Sequence, residues 1–151
     1  MTDPAPRPLE TRKQDTLNRL QEDVDAWVST ASPDGTPYLM PLSFLWDGET
    51  LLLSTAHKNP TSLNLRANSP IHLAIGQTRD VVLITGTTET LNPEDLPQQT
   101  GDAFAQKAGF DPRTLKTPYL YFRVTPHRIQ AWREVNELAA RTIMEHGEWL
   151  P

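Results

Sequence analysis

Apolar and polar positions alternate with two different periods along this chain, and the change of period divides it into elements. Between Leu9 and Glu22, Leu17 and Leu20 recur at helical spacing, with Val24 following four residues later. Spacings of three and four put such residues on one face of a short amphipathic helix. From Asp23 to Ala31 the pattern turns strand-like, with Trp27, Val28 and Thr30. Ser32-Pro-Asp-Gly35 has turn chemistry, because Pro presets φ and Gly accepts a positive φ. Thr36 to Trp46 reads as a second strand, and Pro41 within it, lacking an N–H, calls for an edge or a bulge. Asp47-Gly48 is a second hairpin signal, and Thr50 to Thr55 a third strand.

The second half continues in the same manner. Thr61 to Ala67 predicts a short helix, opened by Asn59 or Pro60 and stopped by Asn68-Ser69-Pro70. Ile71 to Ile75 and Val81 to Leu91 predict two more strands. Val81 to Ile84 is β-branched or apolar at every position and predicts burial on both faces. Gly86 marks a bulge or a close backbone approach. Asn92 to Pro118 is polar and broken by prolines, with a surface helix expected over Asp102 to Lys107. Tyr119 to Trp132 predicts the last long strand, interrupted at Pro126. Its alternation sets Tyr121, Arg123 and Thr125 against Leu120, Phe122 and Val124.

These elements amount to a mainly β chain with α+β character and about six antiparallel strands. Closing such a sheet removes its edges, so a small barrel is the first expectation and a sandwich the second. One domain is expected over 9–133. A disordered tail is expected over 1–8, and a tail over 134–151 that docks through Trp149 and Leu150 on its own chain or a partner.

Composition narrows the chemistry. Cysteine is absent from the 151 residues, which excludes disulfides, thiolate nucleophiles and zinc–thiolate sites. The net charge of −5, from 14 basic and 19 acidic residues, lacks the basic excess of a general nucleic-acid binder. No apolar run approaches the roughly 20 residues of a membrane helix, and the first residues lack a secretory core. A cytoplasmic protein with neither nucleic-acid nor membrane partners is therefore expected. Phosphate-loop, dinucleotide-fold, nucleophile-elbow and zincin motifs are all missing. The four histidines, His57, His72, His127 and His146, have no metal-ligand spacing.

One corner stands out. Thr55, His57, Lys58, Asn59, Thr61, Ser62 and Asn64 gather hydroxyls, amides and one cation where a strand meets a helix. A helix N-terminus favours an anion, and Lys58 adds a full charge. On the local pattern alone, an ordinary helix cap with a solvated Lys58 accounts for the same residues.

The order of elements adds a resemblance. Asp34 to Thr55, then Asn64-Leu-Arg-Ala-Asn-Ser-Pro70 with its following strand, Gly76 to Gly86, and Arg128-Ile-Gln-Ala-Trp132 together resemble the pyridoxamine 5′-phosphate oxidase-like, flavin-binding split-barrel family. The resemblance implies a six-stranded split barrel that dimerises, with cofactor sites between subunits. It implies a phosphate near Thr55, His57, Lys58, Thr61 and Asn64, and a flavin ring along Pro41, Leu42, Ser43 and Phe44. Arg79, Asp80 and Trp132 of a partner would close the site. FMN is the first cofactor expected, the deazaflavin coenzyme F-420 the close alternative, and haem the third. A small-molecule substrate is implied for a hydride-transferring oxidoreductase, and a non-catalytic binding protein is the rival reading. Two departures are visible. Thr61 stands where many relatives carry lysine, and the Arg-rich C-terminal signature of the true pyridoxamine phosphate oxidases is absent.

Overall fold

The computed structural model describes residues 4–151. Helix α1 (Leu9–Glu22) precedes strands β1 (Asp25–Ala31), β2 (Pro37–Trp46) and β3 (Leu51–Ala56). Helix α2 (Pro60–Ala67) leads to β4 (Pro70–Ile75) and β5 (Val81–Leu91). Helix α3 (Gln98–Ala108) and β6 (Tyr119–Trp132) follow, and a hairpin of β7 (Thr142–Glu145) and β8 (Glu148–Trp149) ends the chain. Strand order β3-β2-β1-β4-β5-β6, with β6 returning to β3, closes a six-stranded antiparallel barrel. The barrel was the first expectation, and closure has the reason given for it: the ladder between Leu51–Ala56 and Tyr119–Val124 leaves none of the six barrel strands as a free end.

Inward positions of every strand fill the barrel. Val28, Phe44, Leu51, Leu53, Ile84 and Phe122 are wholly buried there. Of the helix positions, Leu20 is buried and Leu17 packs against the core, whereas Val24 lies beyond the helix and stays exposed. Burial in Val81 to Ile84 alternates, with Val82 and Ile84 inside and Val81 and Leu83 half-buried. The strand buried on both faces is β3, whose Leu51 and Leu53 face the barrel while Leu52 joins a second cluster outside it.

That second cluster corrects the expectation of a surface helix over Asp102 to Lys107. Helix α3 is longer, and it buries Gly101 and Phe104 against the outer face of the sheet. Phe104 meets Leu52, Leu96 and Tyr121, so α3 covers β6 at Tyr121, while Thr125 on the same face stays exposed. Proline breaks at Pro97 and Pro112 bound the segment but do not show what it packs on.

Pro126 does not end β6. Thr85 pairs with Arg128 and Gly86 with Pro126, so His127 is the extra residue of a bulge. A Cβ at Gly86 would stand 2.4 Å from the Thr125 carbonyl oxygen. Close approach, not a left-handed backbone, is what requires glycine there. Gly86→Ala is therefore expected to lower unfolding free energy by about 2–3 kcal/mol, as overpacking against backbone does. Urea denaturation checks this, and an unchanged midpoint would mean that the barrel has room at the bulge.

Residues 1–3 of the tail expected over 1–8 lie outside the described residues. In 4–8, the Pro4 carbonyl accepts from Asn136 Nδ2 at 2.7 Å, and Arg7 pairs with Glu137. At the other end β7 pairs with β6, and Trp149 packs against the barrel core with Lys13 Nζ 5.3 Å over its ring.

Candidate functional site

The site begins where two strands part. β2 and β3 pair through only Phe44–Leu53, Leu45–Leu52 and Trp46–Leu51. Beyond Phe44 the two strands diverge, and Met40 to Ser43 face Ser54 and Thr55 across a groove of ≈ 320 Å³. Pro41, which has no N–H to offer a neighbour, falls in this unpaired stretch. On its other side it stays in register with Trp27 of β1. Asp25, Asn59, Phe110 and Tyr119 complete the lining.

Polar contacts organise both walls. Ser43 Oγ donates to Asp25 Oδ1 at 2.7 Å, and Asn59 Nδ2 donates to Thr55 Oγ1 at 2.9 Å. Phe110 and Tyr119 meet edge-on with centroids 6.2 Å apart, forming an aromatic wall. At the start of α2, Thr61 and Ser62 are wholly buried, and neither hydroxyl has a hydrogen-bond partner. Buried hydroxyls in native proteins nearly always have partners, so two orphans in one helical turn are unusual.

The residues singled out from the sequence separate into three groups. Pro41, Leu42, Ser43 and Thr55 line the groove together. Phe44 follows them in β2, but its ring is wholly buried in the barrel, so only its main chain is available. Thr61 and Asn64 are buried under α2, where Asn64 Nδ2 donates to Thr30 Oγ1 at 3.0 Å. His57 and Lys58 sit on the loop between β3 and α2, outside the groove lining. His57 Nδ1 lies 3.2 Å from the Pro118 carbonyl, and Lys58 is exposed.

The third group lies elsewhere on the molecule. Asp80 is 3.2 Å from Arg19 and 3.4 Å from Arg133, and Arg79 is 3.7 Å from Glu134. The Trp132 indole carries the Arg141 guanidinium 5.7 Å over its ring. None of the three lines the groove of its own chain.

Sequence reading left out Asp25, Phe110 and Tyr119. Asp25 had a signal, since antiparallel register across the first turn sets it opposite Ser43. Phe110 and Tyr119 had none, because their approach depends on how the loop after α3 folds back. Tyr121 lies buried beneath α3, away from the groove. Burial pushes its phenol above the ordinary range. Lys107, whose ammonium is 5.0 Å over the Phe44 ring, is lowered by burial.

A six-stranded barrel that parts between its second and third strands, with an open groove at the parting, defines a split barrel. The chain belongs to the pyridoxamine 5′-phosphate oxidase family, whose model matches residues 14–133. No curated protein matches it. Among solved structures it is similar to a putative pyridoxamine 5′-phosphate oxidase from Listeria innocua, at 17% identity and TM-score 0.66, over 81% of this chain and 98% of that one. It is also similar to an F420 reductase, at 21% identity and TM-score 0.58, covering 74% of this chain and 93% of the other. A third similar structure is HutZ, the haem storage protein from Vibrio cholerae, at 14% identity and TM-score 0.61, over 77% and 90%. At such identities the likeness is one of fold.

Among the described residues no helix is long and apolar enough to cross a membrane, and no cluster of three His, Asp or Glu side chains could hold a metal.

Proposed function

We propose that this chain is a flavin-type oxidoreductase whose groove between β2 and β3 holds a phosphorylated cofactor, FMN first and the deazaflavin F-420 second. The parting of the two strands on the N-terminal side of Phe44 is the observation that carries the reading. It sets an unpaired stretch of β2 main chain, suited to the polar edge of a planar ring, opposite the Thr55–Asn59 hydroxyl–amide pair.

The residues fit such a group in kind. Ser43, Thr55 and Asn59, which line the groove, would hold its polar atoms. Phe110 and Tyr119 offer an aromatic wall and shield from water. When bound, the cofactor supplies the hydride chemistry, while the chain contributes position and a dry wall. Substitution of Thr for the usual lysine at residue 61 removes one cation, leaving Lys58 as the only charge on the β3–α2 loop. F-420 stays in view through the F420 reductase among the similar structures, not through this departure.

A homodimer with cofactor sites between its subunits accords with two further features. Trp27 and Leu39 are 50% and 60% exposed on the outer face of β1 and β2, an apolar surface suited to a second copy. Arg79, Asp80 and Trp132, which do not reach the groove of their own chain, would come to it from the partner. A small-molecule substrate would then meet the ring on its open side.

Titration of the purified protein with FMN, F-420 and haem, followed by absorbance and flavin fluorescence, tests the reading. Saturable FMN or F-420 binding is expected. Thr55→Val should weaken it by about 1–2 kcal/mol through loss of a phosphate or hydroxyl contact. Binding of haem alone, or a Thr55→Val variant with unchanged flavin affinity, would overturn it.

A further inference from the structure

A second cavity, of ≈ 530 Å³, adjoins the groove at Tyr119, which lines both. Three segments distant in sequence build it: the loop after β5, the loop after α3, and the corner between β3 and α2. Pro93, Pro112, Leu115, Pro118 and Leu120 make its walls largely apolar. His57 and Arg66 supply its basic side, and that volume accommodates a ring-sized organic molecule.

The two arginines of this cavity differ in what they hold. Arg113 is engaged by Asp102 at 2.7 Å and Asp111 at 2.8 Å. Arg66 donates from Nε to the Ser62 carbonyl at 3.3 Å and from Nη2 to the His57 carbonyl. Among the described residues it has no carboxylate partner. Main-chain carbonyls thus fix the guanidinium while its charge stays uncompensated. The His57 N–H also donates to the Pro118 carbonyl at 3.0 Å, tying the corner to the facing wall. A preorganised cation beside apolar walls suits a carboxylate, which takes parallel N–H bonds from one guanidinium. Glu94, the one carboxylate besides those walls, opposes a second negative charge on the ligand.

We propose that this cavity binds a monocarboxylic acid with an apolar, ring-sized body, its carboxylate on Arg66 and its body against Pro112, Leu115 and Leu120. The site is separate from the groove and needs no cofactor, so it stands or falls apart from the flavin reading.

Titrating the cofactor-free protein with 1-naphthoate and, separately, with the neutral 1-naphthamide, followed by amide chemical shifts, tests the proposal. Naphthoate is expected to shift His57, Arg66, Leu115, Tyr119 and Leu120 saturably. Naphthamide should bind about 10-fold more weakly, the ratio for one charge-assisted contact. Arg66→Met should bring naphthoate down to the naphthamide affinity. Leu115→Trp, made at a position 43% exposed, should fill the cavity and abolish both titrations while the rest of the spectrum stays folded. Equal affinities for the two probes, shifts confined to other residues, or undiminished binding by a folded Leu115→Trp variant would overturn it.

Discussion

Phe104→Ala is expected to cost about 4 kcal/mol of stability, the largest single effect of any substitution considered for this protein. Phe104 is wholly buried, and its ring is met edge-on by Tyr121 at 5.6 Å and by Phe110 at 6.2 Å. Truncation would leave a cavity bounded by Leu52, Leu96 and Tyr121, on a strand that cannot collapse inward because its other face fills the barrel. A surface helix would lose well under 1 kcal/mol from the same change. Urea unfolding therefore separates the two pictures. The variant should also loosen Phe110, and with it one wall of the groove. Affinity for the proposed flavin cofactor should then fall along with stability, whereas Gly86→Ala at the bulge should reduce stability alone.

Glu137→Ala is expected to cost about 3 kcal/mol, and the wild-type protein should show the same contribution as a function of pH. Glu137 is 4% exposed and accepts four hydrogen bonds. Three come from Arg7, at 2.9 Å from its main-chain N–H, 2.9 Å from Nε and 2.8 Å from Nη2. The fourth is from the Arg133 N–H at 2.8 Å. The Arg7 guanidinium is the main cause that holds the carboxyl at about 2, against burial that opposes it. A drop from 4.5 to about 2 corresponds to about 3 kcal/mol. Removal of one partner from a buried pair gives a similar figure. Since the folded-state value is the depressed one, this stability is fully present above pH 4.5. It drains away as pH falls from 4.5 toward 2 and is gone only below that, where the carboxyl is protonated in both states. Thermal melting from pH 6 to pH 2 should show the loss in the wild type and a much flatter curve in Glu137→Ala. Parallel curves would mean that Arg7 and Glu137 are not paired in solution.

Both results bear on parts of the molecule where one-dimensional pattern is a poor guide. The strands were legible because period-two alternation and Asp-Gly turns are local: β2, β3, β5 and β6 begin and end within a residue or so of the boundaries drawn from sequence. The barrel followed from their number and from the cost of open edges. Pro41 and Gly86 were legible too, because a missing N–H and a missing Cβ restrict where a residue can sit. The segment between β5 and β6 was not legible. Its prolines and polar residues mark turns, but the partner of Phe104 lies in Leu52 and Tyr121, far away in the chain.

The candidate site divides along the same line. Thr55 stood out in the polar corner where a strand meets a helix, whereas Pro41, Leu42 and Ser43 were named through the family resemblance. Asn64 and Thr61 share a helix with the corner, yet their side chains turn inward, and the pattern of an eight-residue helix does not say which face meets the barrel. Arg79, Asp80 and Trp132 are close to one another but not to the groove of their own chain, as the sheet order dictates: β2 lies next to β1 and β3, while Val81 pairs with Trp132 across β5 and β6.

By itself, then, the sequence determined six of the eight strands, the turns between them and the preference for a closed barrel, since these follow from short-range periodicity and backbone chemistry; the placing of a ligand along β2 and β3 came from the family resemblance. Tertiary structure alone decided where β2 leaves β3, that α3 covers Tyr121, that Arg7 reaches Glu137, and that Arg66 faces a largely apolar cavity with no carboxylate in ion-pair contact among the described residues. Each of those depends on groups brought together by barrel closure, and contact between residues remote in sequence leaves no local pattern to read.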